Sequence, residues 1–338
     1  MSQPAVSPAC RAGSAWGLHG EWQWRGHHCH WRMLGEVRHP PLLLLHGFGA
    51  ASGHWRRNAA VLAEAGWCVY GLDLIGFGAS SQPGPPRQGR LDNRLWARQV
   101  QAFLEQVVGR PAVLVGHSLG GLVALTCSVF FPGWVRAVVA APLPDPALVT
   151  SPESIGLQSP RRPAWLRRLK VWTVRLLCRL LPLELIVPLL AHSPLLALGL
   201  QSAYHAPVLA DGELLRLIAR PARRPTAPRA LRAMSIGMAL RPHHATAPAL
   251  LSRLRRPLLL IWGRQDRLVP TTVARQCSQV RPDVPLVMLD HCGHCPHDED
   301  PKAFHRALLG WLSELEESGP PAGAYLWGAA HPPTPAGP

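Results

Sequence analysis

A serine flanked by two glycines stands between two apolar stretches of the chain. The segment reads AVLVGHSLGGLVAL, residues 112 to 125, with Ser118 between Gly116 and Gly120. The residues before the serine are typical of a buried strand and those after it of an apolar helix. A sharp strand-to-helix turn strains its central residue and needs small neighbours, which glycine provides. We therefore expect the turn to expose Ser118 as a nucleophile; the alternative is an ordinary strand–helix connection capped by serine.

Attack on an ester carbonyl also requires hydrogen-bond donors for the oxyanion that forms. The backbone N–H of Leu119, directly after the nucleophile, is one candidate donor. The N–H of Phe48 is a second, because the Gly-rich stretch HGFG, residues 46 to 49, follows the apolar run 42 to 45. The alternative is that these glycines only form a turn.

A serine nucleophile needs a base, and the base needs a carboxylate that orients it. In the chain order Ser, Asp, His, the carboxylate is expected after one of the last strands. Asp266 follows the strand-like run LLLIWG and is our candidate. Asp145 and Asp290 also follow strand-like runs and compete with it, whereas Asp73 is typical of a structural turn.

The segment from 291 to 297, HCGHCPH, holds the candidate bases His291, His294 and His297, and the spacing alone leaves the choice open. Three histidines and two cysteines in seven residues could also bind zinc. No second Cys/His cluster of matching spacing occurs in the sequence, so we expect no metal and no cofactor.

The elements that must position these residues alternate between strand-like and helical patterns. Continuous Leu- and Val-rich runs favour parallel strands covered on both faces, and the alternation predicts an α/β fold with a doubly wound, mostly parallel sheet. The stretch EWQWRGHHCHWRML is expected to supply the first, antiparallel strands. The predicted segments are an N-terminal extension (1–20), the core (21–145 and 250–317), an inserted helical cap after the sixth strand (146–249) and a disordered Pro/Gly/Ala-rich tail (318–338).

The chain is strongly basic, with a formal charge of +15 and a pI near 10.8. Most of the positive excess lies in the predicted cap, where residues 164 to 180 form a basic amphipathic pattern. Such a helix can lie on an anionic membrane; the alternative is packing on the core with a solvated basic face. The apolar stretch 185 to 210 is interrupted by prolines, which favours a lid over an apolar substrate rather than a membrane span. No nucleic-acid-binding motif is present, so nucleic acid is not an expected partner.

Five segments occur in an order that resembles the α/β-hydrolase superfamily over residues 21 to about 316. They are HGFG, DLIGFGAS, GHSLGG, WGRQD and GHCPHDEDP. In that superfamily the catalytic histidine follows a glycine in the last strand-end loop, so the resemblance implies His294 as the base. WQWRG, HGFGAASGHWRRN and GHCPHDE are similar to the plant and cyanobacterial pheophytinase-like subgroup, which cleaves the phytyl ester of chlorophyll derivatives. Epoxide hydrolases and haloalkane dehalogenases carry aspartate where Ser118 stands, so the resemblance implies an acyl-serine.

These observations predict a serine hydrolase that cleaves a lipophilic carboxylic ester with Ser118, His294 and Asp266. An acyltransferase with the same three residues and a ligand-binding protein on a hydrolase scaffold are the alternatives. The N-terminal residues lack the pattern of a secretory signal and the cysteines are scattered, so we expect a reducing, cytoplasmic compartment with peripheral membrane contact. The subgroup resemblance would place the protein at a plastid or thylakoid membrane.

Overall fold

The computed structural model describes residues 13–85, 90–148 and 164–317. The strands in these ranges are β1 (Leu18–Trp24), β2 (His27–Leu34), β3 (Pro41–Leu45), β4 (Cys68–Leu72), β5 (Ala112–His117), β6 (Val135–Ala141), β7 (Leu258–Gly263) and β8 (Leu286–Leu289). The helices are α1 (Ala59–Glu64), α2 (Asn93–Phe103), α3 (Leu119–Phe130), α4 (Ala164–Leu180), α5 (Leu183–His192), α6 (Leu195–Ala203), α7 (Gly212–Ala222), α8 (Ala227–Ala239), α9 (Ala247–Leu251), α10 (Thr271–Val280), α11 (Pro296–Glu299) and α12 (Pro301–Glu317).

All eight strands belong to one sheet, in the order β1-β2-β4-β3-β5-β6-β7-β8. The pairs β1–β2 and β2–β4 are antiparallel, and the remaining pairs are parallel. The carboxyl ends of the parallel strands therefore share one edge, where ligands bind in open sheets of this kind. The predicted α/β fold with a mostly parallel sheet is confirmed.

The sheet separates two apolar cores, and β3 contributes to both because its side chains alternate between the faces. Leu43 and Leu45 pack into the core on one face. Leu42 and Leu44 pack into the core on the other. Since all five residues of β3 are buried, the strand reads as a continuous apolar run, as a central parallel strand should.

Between β6 and β7 the described chain forms helices α4 to α9, and we call α4 to α8 the inserted helices. They fall within the segment predicted as a cap. Residues 149–163 of that segment lie outside the described ranges. Residues 1–12 of the predicted extension and the predicted tail lie outside them as well. None of the described helices alone is long and apolar enough to cross a membrane. Helices α5 and α6 meet that criterion only as a pair and are bent by 82° relative to each other.

Candidate active site

Ser118 lies between β5 and α3 in a conformation that few residues other than glycine adopt, with φ +51° and ψ −116°. Both flanking glycines are needed for steric reasons. A Cβ at Gly116 would lie 2.3 Å from the backbone of Gly120. A Cβ at Gly120 would lie 2.2 Å from the carbonyl oxygen of Leu45 in β3. The tight packing of the turn therefore accounts for the glycine spacing, and the strained serine marks a candidate functional position.

The three residues that the sequence nominates as a triad meet at the carboxyl edge of the sheet. Nε2 of His294 lies 2.9 Å from Oγ of Ser118, and Nδ1 lies 2.9 Å from Oδ2 of Asp266. An ionised carboxylate only accepts hydrogen bonds, so Nδ1 carries the proton of the neutral imidazole. Nε2 is then free to accept the proton of the serine hydroxyl.

The carboxylate of Asp266 is held by the turn that follows β7. Its Oδ1 accepts hydrogen bonds from the N–H groups of Leu268 at 2.8 Å and Val269 at 2.9 Å. The side chain is fully buried. These two donors fix the carboxylate and aim its second oxygen at His294.

The loop that carries His294 is fixed by contacts with α11 and the inserted helices. The N–H of His294 donates to the carbonyl of Ala203 at 2.7 Å, and the N–H of Gly293 donates to the Glu299 carboxylate at 2.7 Å. Burial raises the pKa of Glu299. A Cβ at Gly293 would lie 2.8 Å from the carbonyl oxygen of Ala203, which explains why glycine precedes the histidine.

The competing carboxylates have other partners. Asp145 accepts from Arg241 and from the backbone of the segment that enters α9. Asp290 is exposed and pairs with Arg264. Asp73 is buried and accepts two backbone N–H groups, at 2.6 and 2.9 Å, consistent with a turn residue. Among the described carboxylates, only that of Asp266 forms a hydrogen bond with the imidazole of His294.

The loop after β3 lies directly beside the strained turn. A Cβ at Gly47 would come within 3.3 Å of the Ser118 Cβ. Leu119 is the first residue of α3, so no preceding helical carbonyl accepts its N–H. Phe48 follows Gly47 and its side chain is 61% exposed. The roles of the Phe48 and Leu119 N–H groups as oxyanion donors remain predictions.

Sequence reasoning missed an ion-pair network that joins the inserted helices to the loop of His294. The guanidinium of Arg56 is 4% exposed and lies 3.0 Å from Asp298 in α11. It also contacts Asp211 at 2.5 Å and Glu213 at 3.1 Å, at the start of α7. The only signal in the sequence is the pair of basic residues Arg56 and Arg57, which follows the HGFG segment. Such a pair does not predict which carboxylates it will contact.

A group of buried histidines was also missed. The rings of His54, His117 and His297 pack against one another with centroids 4.6 to 5.6 Å apart. Burial lowers the pKa of His54 to about 4 and that of the other two well below the usual value. Each histidine stands in or beside a motif, but their separation along the chain conceals the contact.

Comparison with known proteins identifies relatives of the same fold. Over 336 residues, the chain is 25% identical to "Pheophytinase, chloroplastic" of Arabidopsis thaliana. This alignment covers 86% of this chain and 67% of that protein. Over 276 residues, it is 27% identical to a pimeloyl-[acyl-carrier protein] methyl ester esterase of Vibrio parahaemolyticus, covering 80% and 94% of the two chains. An alpha/beta hydrolase fold protein from Burkholderia ambifaria superposes with a TM-score of 0.64 at 21% identity, covering 86% and 97%. Residues 40–301 match the model of the alpha/beta hydrolase fold family, and the chain belongs to that family.

Proposed function

We propose that this chain is a serine hydrolase that cleaves a lipophilic carboxylic ester through an acyl-enzyme. The observation that carries the proposal is the pair of 2.9 Å hydrogen bonds that connect Ser118, His294 and Asp266 at a strained turn. As the serine oxygen attacks the carbonyl carbon, His294 takes the hydroxyl proton. The carboxylate of Asp266 holds the required tautomer and stabilises the imidazolium that forms.

The remaining steps use groups at the same edge of the sheet. The N–H groups of Leu119 and Phe48 donate to the oxyanion, and loss of one such donor typically costs about 10²–10³ in kcat. His294 returns its proton to the leaving alcohol, which departs and leaves an acyl group on Ser118. A water molecule, deprotonated by His294, then attacks the acyl carbonyl and releases the carboxylic acid.

The composition of the inserted helices favours a lipophilic substrate. We assign residues 146–249 as a cap over the reactive serine, because the loop of His294 is bonded to the end of α6 through Ala203. Twelve large apolar side chains of α4 to α6 and the turn between α4 and α5 are exposed: Trp165, Leu169, Trp172, Leu177, Leu180, Leu181, Leu185, Ile186, Leu189, Leu190, Leu195 and Leu198. Together with the pheophytinase and methyl ester esterase relatives, this surface favours long-chain, prenyl or phytyl esters.

The same surface supports contact with an anionic membrane, from which the ester would enter. Trp165 and Trp172 are 63% and 60% exposed, and α4 also exposes Arg168, Arg175 and Arg179. Each basic residue near an anionic bilayer contributes about 1 kcal/mol. The chloroplastic location of the pheophytinase relative favours a plastid membrane as the site of action.

A covalent serine probe tests the chemistry. A fluorophosphonate should label the wild-type protein at Ser118 and leave Ser118→Ala unlabelled, and only the wild type should hydrolyse esters. Equal labelling of both proteins would overturn the proposal. Product formation that requires an added acceptor alcohol would identify an acyltransferase instead.

An ester panel and vesicles test the substrate class and the membrane contact separately. Long-chain or phytyl esters should be turned over, and turnover of short soluble esters alone would remove the lipophilic assignment.

Trp172→Ser should weaken binding to phosphatidylserine-containing vesicles by about tenfold or more, since a large apolar side chain no longer inserts. Val37→Ser, which removes an exposed apolar side chain from a loop outside the inserted helices, should leave that binding unchanged. Equal vesicle affinities for wild type and Trp172→Ser would overturn the membrane contact.

A further inference from the structure

The three buried histidines form a compact group of nitrogen ligands outside the hydrogen-bonded chain of the proposed triad. His54 lies in the 3-10 helix Ser52–Trp55, His117 at the end of β5 and His297 in α11. Their exposed fractions are 2%, 4% and 0%. One nitrogen of each ring lies within 4.8 Å of one nitrogen in each of the other two rings.

Hydrogen bonds determine which nitrogen carries the proton in two of the rings. Nε2 of His117 lies 3.0 Å from the carbonyl oxygen of His294, which can only accept, so Nε2 is protonated. The hydroxyl of Tyr204 donates to the carboxylate of Asp298 at 3.0 Å, so it must accept from Nε2 of His54 at 2.8 Å. In both neutral rings Nδ1 therefore carries a lone pair.

These lone pairs outnumber the donors around them. In the part of the chain that the structure describes, no hydrogen-bond partner is found for Nδ1 of His54, Nδ1 of His117 or either nitrogen of His297. A neutral His297 offers one N–H and one lone pair. The group thus presents three imidazole lone pairs against a single N–H, a donor set that suits Zn²⁺ and similar transition-metal ions.

The groups behind the rings also resemble those of a metal site. A histidine that binds a metal commonly donates its other N–H to a carbonyl or a carboxylate-linked group, as His117 and His54 do here. The adjacent ion-pair network places the guanidinium groups of Arg56 and Arg57 against three carboxylates, those of Asp211, Glu213 and Asp298. Of these carboxylates, Asp298 accepts from the Tyr204 hydroxyl that contacts His54, and its negative charge favours a cation beside that ring.

We propose that His54, His117 and His297 bind one divalent transition-metal ion of the Zn²⁺ class, with a structural role. Nitrogen ligands about 2.0–2.1 Å from a tetrahedral ion are about 3.4 Å apart, and one nitrogen of each ring already lies within 4.8 Å of one nitrogen in each of the other two, so small shifts or rotations of the rings bring them to one ion. The ion would connect the loop after β3, the residue before the nucleophile and α11. The sequence-based expectation of no metal rested on the spacing of Cys and His along the chain, whereas this site takes two of its three ligands from single histidines far from residues 291–297.

Metal content of the wild-type protein tests the site without reference to catalysis. Tag-free protein is produced in zinc-supplemented medium, dialysed exhaustively and analysed by mass spectrometry for metals; a second sample is refolded with Co²⁺. We expect about one ion per chain, visible d–d absorption of the Co²⁺ form typical of nitrogen ligands, and a lower melting temperature after chelation.

Variants then locate the ion. His297→Gln should lose it, whereas His291→Asn should keep it, because His291 is an exposed histidine of the same segment with φ +58°, which asparagine tolerates. Wild-type protein with less than about a tenth of an ion per chain in both preparations would overturn the proposal and indicate a buried water in its place. Undiminished metal in a folded His297→Gln protein would overturn it too, and if this variant does not fold, the two wild-type preparations decide.

Discussion

Replacing Asp266 by asparagine changes the protonation pattern of His294 without changing the shape of the site. One carboxylate oxygen accepts from the N–H groups of Leu268 and Val269 at 2.8 and 2.9 Å, and the other faces Nδ1 of His294 at 2.9 Å. Asparagine must keep its only oxygen on the two backbone donors, because the reversed amide would direct N–H against N–H. Its NH₂ group then faces Nδ1, which favours the tautomer protonated at Nε2. That tautomer cannot accept the proton of Ser118.

The expected loss follows from this tautomer. Loss of the correct tautomer in a Ser-His-Asp triad lowers kcat by about 10⁴, which corresponds to about 5.4 kcal/mol of activation free energy. The asparagine is nearly isosteric and keeps the two backbone hydrogen bonds. The free energy of unfolding should therefore fall by less than about 2 kcal/mol.

Steady-state kinetics on a long-chain ester measure the effect, and urea denaturation measures stability. Asp290→Asn is the matched control, because Asp290 also follows a strand but its carboxylate is exposed and pairs with Arg264. It should retain kcat within about twofold, as expected for a surface ion pair. A loss of less than about tenfold in a folded Asp266→Asn protein would refute the assigned role. An equal loss in both variants would refute the choice of carboxylate.

Three further predictions concern stability and are measured by urea denaturation. Gly120→Ala, with its Cβ 2.2 Å from a backbone oxygen, should destabilise the protein by about 3 kcal/mol or more. The same change at Gly310, which is exposed within α12 with open space around it, should stabilise it by about 0.5–1 kcal/mol; equal effects would contradict the packing argument. Arg56→Met removes the guanidinium that donates two hydrogen bonds to the buried carboxylate of Asp298 and leaves only the longer 3.6 Å ion-pair contact with Arg57; it should cost about 3–5 kcal/mol, and a change under about 1 kcal/mol would contradict that. The hydrogen bond from Arg56 lowers the pKa of Asp211 to about 2, against about 3.9 when unfolded. The stability that Asp211 contributes is therefore complete above pH ~4 and lost as the pH falls to ~2, so the difference between wild type and Asp211→Asn should shrink over that interval, and a constant difference would contradict it.

The strands and the strained turn could be predicted because their causes are local. Parallel strands buried on both faces read as apolar runs, and β3, β4, β5 and β7 are buried along their whole length. Glycines two residues either side of Ser118 indicate a turn that admits no side chains. These signals need no knowledge of the partner segments.

The choice of carboxylate required tertiary information. Asp145, Asp266 and Asp290 each follow a strand-like run, and the sequence does not say which carboxylate turns toward the imidazole. In the structure Asp145 is bonded to Arg241 and to the segment that enters α9. The resemblance to a family, rather than residue spacing, favoured His294 among three candidate histidines.

The exposed apolar surface and the histidine group also depend on contacts between distant segments. A helical pattern in residues 164 to 180 separates apolar from basic positions but does not say which side the core covers. In the structure Trp165, Leu169 and Trp172 remain largely exposed. Likewise, nothing local indicates that His54, His117 and His297 share one buried space.

The acyl-enzyme provides the most direct test of the central claim. The reaction with a slowly deacylating long-chain ester is stopped with acid and the protein is digested for peptide mass spectrometry. We predict that the peptide containing Ser118 carries the acyl group of the substrate and that the adduct disappears as the ester is consumed. Sustained hydrolysis with no adduct on Ser118, together with unchanged turnover in Ser118→Ala, would contradict the account.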